Sequence, residues 1–277
     1  MDYNRKVDAA IKLLRAIPQD GPLEISYSGG KDSDVILRLA QMAGIPHEAI
    51  YKQTSIDPPG TTAHCKEVGA TIIRPKETFL DIIRRKGMPT RRARFCCDIL
   101  KEYKVYSRAV QGVRRDESHD RERRYKEPEV CRVFSKKDTV QIYLPILEWT
   151  LEDVVRFIQE EKIKCAPVYY DEAGIFHPER RLGCIGCPLK GDCGKADFRK
   201  YPKFLLAVLR AEQYYLDTHP NCSAKANMGD AYGVAFQNLF CDSYEEFNTR
   251  VNPPLFPDCA ISPRAFLEDY FKIDLTL

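Results

Sequence analysis

An extended run, Leu23-Glu24-Ile25-Ser26-Tyr27, leads into Ser28-Gly29-Gly30-Lys31-Asp32-Ser33 and then into the helix-compatible Asp34-Val35-Ile36-Leu37-Arg38-Leu39-Ala40. A strand, a glycine turn and a helix start in that order make an anion site. Backbone N–H groups converge there, and the positive end of the helix dipole faces the ligand. Gly29 and Gly30 let the backbone take positive φ and approach phosphate oxygens closely. Ser28 and Ser33 add hydroxyl donors, and Lys31 adds a point charge. No glycine lies five residues before Gly30, which excludes a Walker loop. A phosphate loop at the carboxyl end of a strand is where open α/β sheets bind ligands.

The surrounding pattern fits such a sheet. Val7, Ala10, Ile11 and Leu14 recur at helical spacing over 5–16. Strands are predicted at Leu23–Tyr27, Ala49–Gln53, Ala70–Arg74 and Val105–Val113. Helices are predicted between them at Asp32–Ala43 (ending at Gly44), Thr62–Val68 and Glu77–Arg85. Residues 114–127 are nearly all charged and read as a solvated loop. Short strands follow at Cys131–Phe134 and Val140–Leu144; Thr150-Leu151-Glu152-Asp153 resembles a capping box opening a helix to about Glu161. Residues 196–218 read as one helix. The expectation is an α/β fold with a parallel doubly wound sheet and a cysteine-rich, mainly helical C-terminal extension. The expected division is 1–148 for the nucleotide-binding domain and 149–277 for the extension.

A net charge of +3 does not by itself argue for nucleic acid. No apolar run approaches the roughly 20 residues of a membrane helix, and no apolar signal-peptide core follows Met1-Asp2-Tyr3-Asn4-Arg5-Lys6. Cytoplasm is the expected compartment, with no membrane partner. Eleven cysteines, an odd number, argue against a fully paired secreted framework and for metal ligation or thiol chemistry.

Two cysteine pairs stand apart from the rest. Cys96-Cys97 is followed almost ninety residues later by Cys184-Ile185-Gly186-Cys187. A Cys-x-x-Cys turn aims two thiolates at one point, and a second pair completes four-sulfur coordination. Tetrahedral Zn²⁺ and a 4Fe–4S cluster both suit that set. Cys65, Cys131, Cys165, Cys222, Cys241 and Cys259 are scattered, which suits buried apolar roles. Cys193, close behind the turn, is a candidate reactive thiol or alternate ligand.

Ser28–Ser33 resembles the pyrophosphate loop of the PP-loop ATP pyrophosphatases, the adenine nucleotide alpha hydrolase-like superfamily. With the two cysteine pairs downstream, the chain resembles the phosphoadenosine/adenosine phosphosulfate (PAPS/APS) reductase family, especially its phage-type members. Further motifs resemble it in the same order: Pro89-Thr90-Arg91 with Arg94-Phe95-Cys96-Cys97, then Gly112-Val113-Arg114 with Glu117-Ser118 and Arg121, then Pro145-Ile146 with Trp149-Thr150 and Asp153-Val154. The resemblance spans about residues 20–205. It implies that Cys96, Cys97, Cys184 and Cys187 hold a 4Fe–4S cluster. It also implies that Ser28, Gly29, Gly30, Lys31 and Ser33 cradle a nucleotide's pyrophosphate, with Gly112 in the neighbouring turn and Asp32 orienting the loop or Mg²⁺. Arg114 is expected to face developing phosphate charge, Glu117 to hold Mg²⁺ or a substrate hydroxyl, and Arg121 to act as a second phosphate clamp.

Two departures shape the functional expectation. Adenylyl-sulfate reductases usually end in a Glu-Cys-Gly-Leu-His tail, whereas this chain has Pro257-Asp258-Cys259-Ala260-Ile261 and ends Phe271-Lys272-Ile273-Asp274-Leu275-Thr276-Leu277. Those reductases also carry degenerate phosphate loops, and this loop is intact. The expected activity is therefore ATP-driven adenylation of an acceptor with release of pyrophosphate, supporting sulfur transfer beside an iron–sulfur cluster. The partners would be a sulfur donor or thiol reductant, and a nucleic acid as a candidate acceptor. Alternatives are a sulfonucleotide (APS or PAPS) reductase with a relocated thiol, Cys193 or Cys259, and a non-catalytic nucleotide-binding module with structural zinc. The basic stretch Arg84-Arg85-Lys86 through Arg91-Arg92-Ala93-Arg94 suits nucleic-acid phosphates, small-nucleotide phosphates or a solvated loop, with Phe95 its sole aromatic.

Overall fold

The alternation of strands and helices is realised in a computed structural model that describes residues 2–135, 138–253 and 257–277. In chain order the elements are α1 (Tyr3–Ala16), β1 (Leu23–Tyr27), α2 (Lys31–Ala43), β2 (Glu48–Lys52), α3 (Thr61–Glu67), β3 (Thr71–Ile73), α4 (Phe79–Lys86) and α5 (Phe95–Leu100). They continue with β4 (Arg108–Val110), α6 (His119–Arg124), β5 (Glu129–Ser135), β6 (Asp138–Tyr143) and α7 (Leu151–Glu160). The C-terminal part is helical: α8 (Asp192–Lys200), α9 (Pro202–Thr218), α10 (Ser223–Met228), α11 (Ala231–Phe240), α12 (Tyr244–Val251) and α13 (Pro263–Phe271).

The six strands form one sheet in the order β3-β2-β1-β4-β6-β5. β1 pairs in parallel with both β2 and β4, so successive crossovers run outward in opposite directions from the centre. The loops after β1 and β4 border the crevice where such sheets take ligands. One expectation needs correcting: the sheet is mostly parallel, but β5 and β6 pair antiparallel. Only two residues separate Ser135 from Asp138, too few for the crossover that a parallel pair demands.

Compactness divides the chain into two units. The first comprises Met1–Gln53, Asp57–Pro75 and Leu100–Leu182, and contains the whole sheet. Its β1 is buried at four of five positions because helices cover both faces of the sheet. α2 is buried on nearly every side and stops at Gly44, whose φ of 68° provides a left-handed cap. α7 opens with the expected capping box, Thr150 and Asp153 exchanging hydrogen bonds. Trp149, just before it, packs edge-on to Phe157 with ring centroids 5.4 Å apart.

The second unit comprises Thr54–Ile56, Lys76–Ile99 and Gly183–Leu277. The single helix expected over 196–218 is two helices, because Pro202 lacks an N–H and starts α9 instead of continuing α8. Phe236, Phe240, Phe266 and Tyr270 form an edge-to-face aromatic cluster with centroids 4.7–5.0 Å apart, tying α11 to α13. Among the described residues no helix is long and apolar enough to cross a membrane.

The charged stretch 114–127 also differs from a plain loop. It contains a 3-10 turn, Arg115–Glu117, and then α6, capped by the Ser118 hydroxyl, which accepts from the Arg121 N–H at 3.3 Å. Local ion pairs such as Arg123–Asp120, at 2.7 Å, stabilise a helix that apolar periodicity could not reveal.

Glu212 on α9 is 1% exposed, with Oε2 unpartnered and the carboxylate accepting from the Met88 N–H. Burial pushes its pKa up to about 7. The unfolded chain ionises near the ordinary glutamate value while the folded carboxyl stays neutral. Stability should therefore be full below that value and fall as pH rises to about 7, by roughly 3 kcal/mol if the group is fully protected. Urea titrations across that range should show this fall, and Glu212→Gln should flatten it.

Candidate nucleotide site and cysteine set

The turn after β1 is built as its residue types require. Gly29 has a φ of 76°, and a Cβ there would lie 3.1 Å from Thr61 Cγ2 and 3.3 Å from Cys65 Sγ. Gly30 caps α2 with its carbonyl, which accepts from the N–H groups of Ser33 at 2.8 Å and Asp34 at 3.0 Å. The Ser33 hydroxyl donates to the same carbonyl at 2.7 Å, and the Ser28 hydroxyl lies 3.3 Å from that of Ser33. Lys31 is 6% exposed, with its backbone N–H donating to the Tyr169 hydroxyl at 3.2 Å and its ammonium 5.5 Å from that ring's centre.

Asp32 is gripped on both oxygens. Arg114 Nε donates to Oδ1 at 2.6 Å, and Lys31 Nζ lies 3.3 Å from Oδ2. Arg114, expected to face phosphate charge, is 3% exposed and sits behind this carboxylate. Its other guanidinium arm reaches Asp116 at 3.1 Å, and Asp116 in turn accepts from the Leu151 N–H at 3.0 Å. Gly112 approaches from the loop after β4: a Cβ there would fall 2.8 Å from the Asp32 carbonyl oxygen. The two switch-point loops thus meet backbone to backbone.

Between them lies a cavity of about 290 Å³, at the small end of ligand pockets. The loop residues Ser28 and Gly30 through Ser33 line it, as do Gln111, Gly112, Glu117 and Arg121. Tyr169 and Arg181, which no sequence motif marks, line it as well. Tyr169 ends a single 3-10 turn, Pro167–Tyr169, and Arg181 stands in irregular backbone, so no periodicity marks either side chain as inward-facing. Glu117 has both oxygens on arginines, Arg121 at 2.6 Å and Arg181 at 3.0 Å.

Behind the loop, Asp34, Tyr27 and His64 form a buried network. The Tyr27 hydroxyl donates to Asp34 Oδ1, and His64 Nε2 lies 2.9 Å from the same oxygen. Burial drives the Asp34 pKa upward, against the opposing pull of His64 and Tyr27. This network joins the end of β1, the first turn of α2 and α3, so it fixes both sides of the turn.

In the second unit, α5 carries Cys96 and Cys97, and Cys184–Cys187 form a turn closed by the Cys187 N–H on the Cys184 carbonyl at 3.3 Å. Gly186 has a φ of 68°, and a Cβ there would lie 2.4 Å from Phe198 Cζ. Its N–H donates to Asp197, which Lys190 also holds at 2.5 Å. The four cysteines sense one another. A hydrogen bond with Cys97, then burial, then the charges of Cys97, Cys184 and Cys187 all push the Cys96 thiol upward. Among the described residues no set of three or more Cys, His, Asp or Glu stands in metal-coordinating geometry. The donor set itself, four thiols gathered from two short segments, suits a thiophilic centre such as zinc or an iron–sulfur cluster. Cys193 and Cys259 are exposed, with Cys193 in the first turn of α8.

Gly112→Ala should push the loop after β4 off the first turn of α2 and weaken nucleotide binding about tenfold, since ångström-scale misplacement is costly at such sites. Calorimetric titration with a parallel thermal melt checks both affinity and folding.

The profile of the phosphoadenosine phosphosulfate reductase domain matches residues 22–190. No curated protein sequence is matched. Among solved structures, the FMN adenylyltransferase of Candida glabrata aligns at 16% identity and TM-score 0.44, over 66% of this chain and 62% of that one. The phosphoadenylyl-sulfate reductase of Candida auris aligns at 16% identity and TM-score 0.43, over 66% of this chain and 93% of that one.

Proposed function

The chain belongs to the phosphoadenosine phosphosulfate reductase domain family, and on that premise we propose that it binds ATP and adenylates an acceptor in support of sulfur transfer. The intact Ser28–Ser33 loop at the mouth of the cavity carries this reading. The β,γ-pyrophosphate would lie over the start of α2, held by Lys31, the loop N–H groups and the hydroxyls of Ser28 and Ser33, with Mg²⁺ accompanying it. An oxygen or sulfur of the acceptor forms a bond to the α-phosphorus. The bond from that phosphorus to the bridging oxygen breaks, and pyrophosphate leaves with the electron pair. Charge would grow on the leaving group, where Lys31 and the positive end of α2 would offset it. Asp32 and Arg114 then act by holding Lys31 and the loop in place, and Gly112 lets the second loop close on them.

Cys96, Cys97, Cys184 and Cys187 would hold a 4Fe–4S cluster, with Zn²⁺ as the alternative occupant. Once bound, the cluster would supply electrons for the sulfur step. A nucleic acid is a candidate acceptor. The second reading, reduction of APS or PAPS to sulfite, is favoured by the exposure of Cys193, six residues beyond Cys187.

Pyrophosphate release from ATP should fall at least about a hundredfold in Asp32→Ala, as loss of a preorganised electrostatic element implies. Phosphate as the product, or an unchanged rate in the variant, contradicts the proposal. Anaerobically purified protein should absorb near 400 nm and lose that band in Cys184→Ser. Zinc with no such band selects the alternative metal, and thiol-dependent sulfite release from adenylyl sulfate selects the reductase.

A further inference from the structure

The turn that carries Cys184 and Cys187 is moulded on α8. The Gly186 N–H, between the two cysteines, donates to Asp197 Oδ2 at 3.0 Å. Lys190 Nζ lies 2.5 Å from the same oxygen, so the carboxylate has its own counter-ion. The two side chains are only 18% and 19% exposed, which limits competition from water. A peptide N–H on a carboxylate is a charge-assisted hydrogen bond, stronger than one between neutral groups.

Two glycines let the helix and the turn approach this closely. A Cβ at Gly186 would fall 2.4 Å from Phe198 Cζ, and one at Gly194 would fall 2.5 Å from the Cys187 carbonyl oxygen. α8 is itself anchored. Phe198 is buried, stacks on Phe204 with ring centres 6.0 Å apart and meets Phe271 edge-on at 6.1 Å. On its other side the turn is tied by the Ile185 N–H, which donates to the Ile56 carbonyl at 2.8 Å. None of these contacts uses a thiol sulfur, so protein groups alone restrain the turn.

We propose that Asp197 is a positioning residue for the cysteine set: it holds the Cys184–Cys187 turn closed before a thiophilic cation arrives, with Lys190 as its counter-ion. The proposal rests on the reading of these cysteines as metal-holding, and concerns only how two of them are presented. Ordering the turn during folding removes that cost from metal binding. The role differs from simple charge attraction between Asp197 and a cation: an uncharged oxygen acceptor at position 197 still satisfies the Gly186 N–H, so it preserves the positioning and loses only the charge.

The test uses the full chain, reduced and metal-free under anaerobic conditions, as wild type, Asp197→Ala and Asp197→Asn, with thermal melts run in parallel. Amide exchange reads the turn directly. The Gly186 N–H should exchange at least about tenfold faster in Asp197→Ala than in the wild type or Asp197→Asn, as local opening of one restrained turn implies. Co²⁺, followed by its thiolate absorption, reads the consequence. Asp197→Ala should bind it about 10–100-fold more weakly, the usual effect of losing a partner that orients a ligand. Asp197→Asn should stay within about threefold of the wild type, the scale of a partly exposed ion pair. Equal Gly186 exchange in wild type and Asp197→Ala overturns the proposal, and so does an Asn variant as weak as the Ala variant, since charge alone then accounts for the loss. Wild-type protein with a protected Gly186 but no thiolate band with Co²⁺ overturns the metal reading of the cysteines. In that case the exchange difference between wild type and Asp197→Ala still upholds Asp197 as the residue that closes the turn.

Discussion

The contact between Arg114 and Asp32 is the constraint on which the site depends. A buried guanidinium must be paired, because an unpaired charge in that setting costs several kcal/mol. Asp32 supplies the pair at 2.6 Å, and its second oxygen steadies Lys31 at 3.3 Å. One carboxylate in the first turn of α2 thereby links the loop after β4 to the phosphate loop after β1. The remaining arm of Arg114 extends the linkage through Asp116 to the start of α7. The switch-point crevice is thus held open by a chain of ion pairs and hydrogen bonds spanning three elements.

Glycine placement answers to the same constraint. Gly112 faces the Asp32 carbonyl so closely that any side chain would prise the two loops apart, and Gly29 turns the chain where Thr61 and Cys65 leave no room. Beneath them, Tyr27, Asp34 and His64 clasp the strand end to the helix start. The loop is therefore tied to its surroundings by close packing above and a buried hydrogen-bond network below. Preorganisation of this kind lets dipoles and charges act on a developing oxyanion without first rearranging.

Much of this was legible in the residues. The strand, turn and helix at 23–43 carry local signals that tertiary packing reinforces, and Thr150 and Asp153 announced the start of α7. The antiparallel β5–β6 pair was missed because strand pattern does not encode direction, and α6 because charges alone cover its faces. Tyr169 reaches the cavity from a single 3-10 turn and Arg181 from irregular backbone, so only the folded chain reveals them. The burial of Arg114 was the hardest feature to foresee. Its sequence neighbours Arg115, Asp116 and Glu117 read as a solvated run, and the carboxylate that neutralises it lies 82 residues away.

A double-mutant cycle on nucleotide affinity addresses the central linkage directly, with Asp32→Asn, Arg114→Gln and the pair measured by ATP titration. If the two side chains act as one clamp, the double variant should bind about as weakly as the worse single variant, giving a coupling of about 1–3 kcal/mol. Strict additivity of the two losses would contradict the account, because each residue would then reach the nucleotide independently of the other.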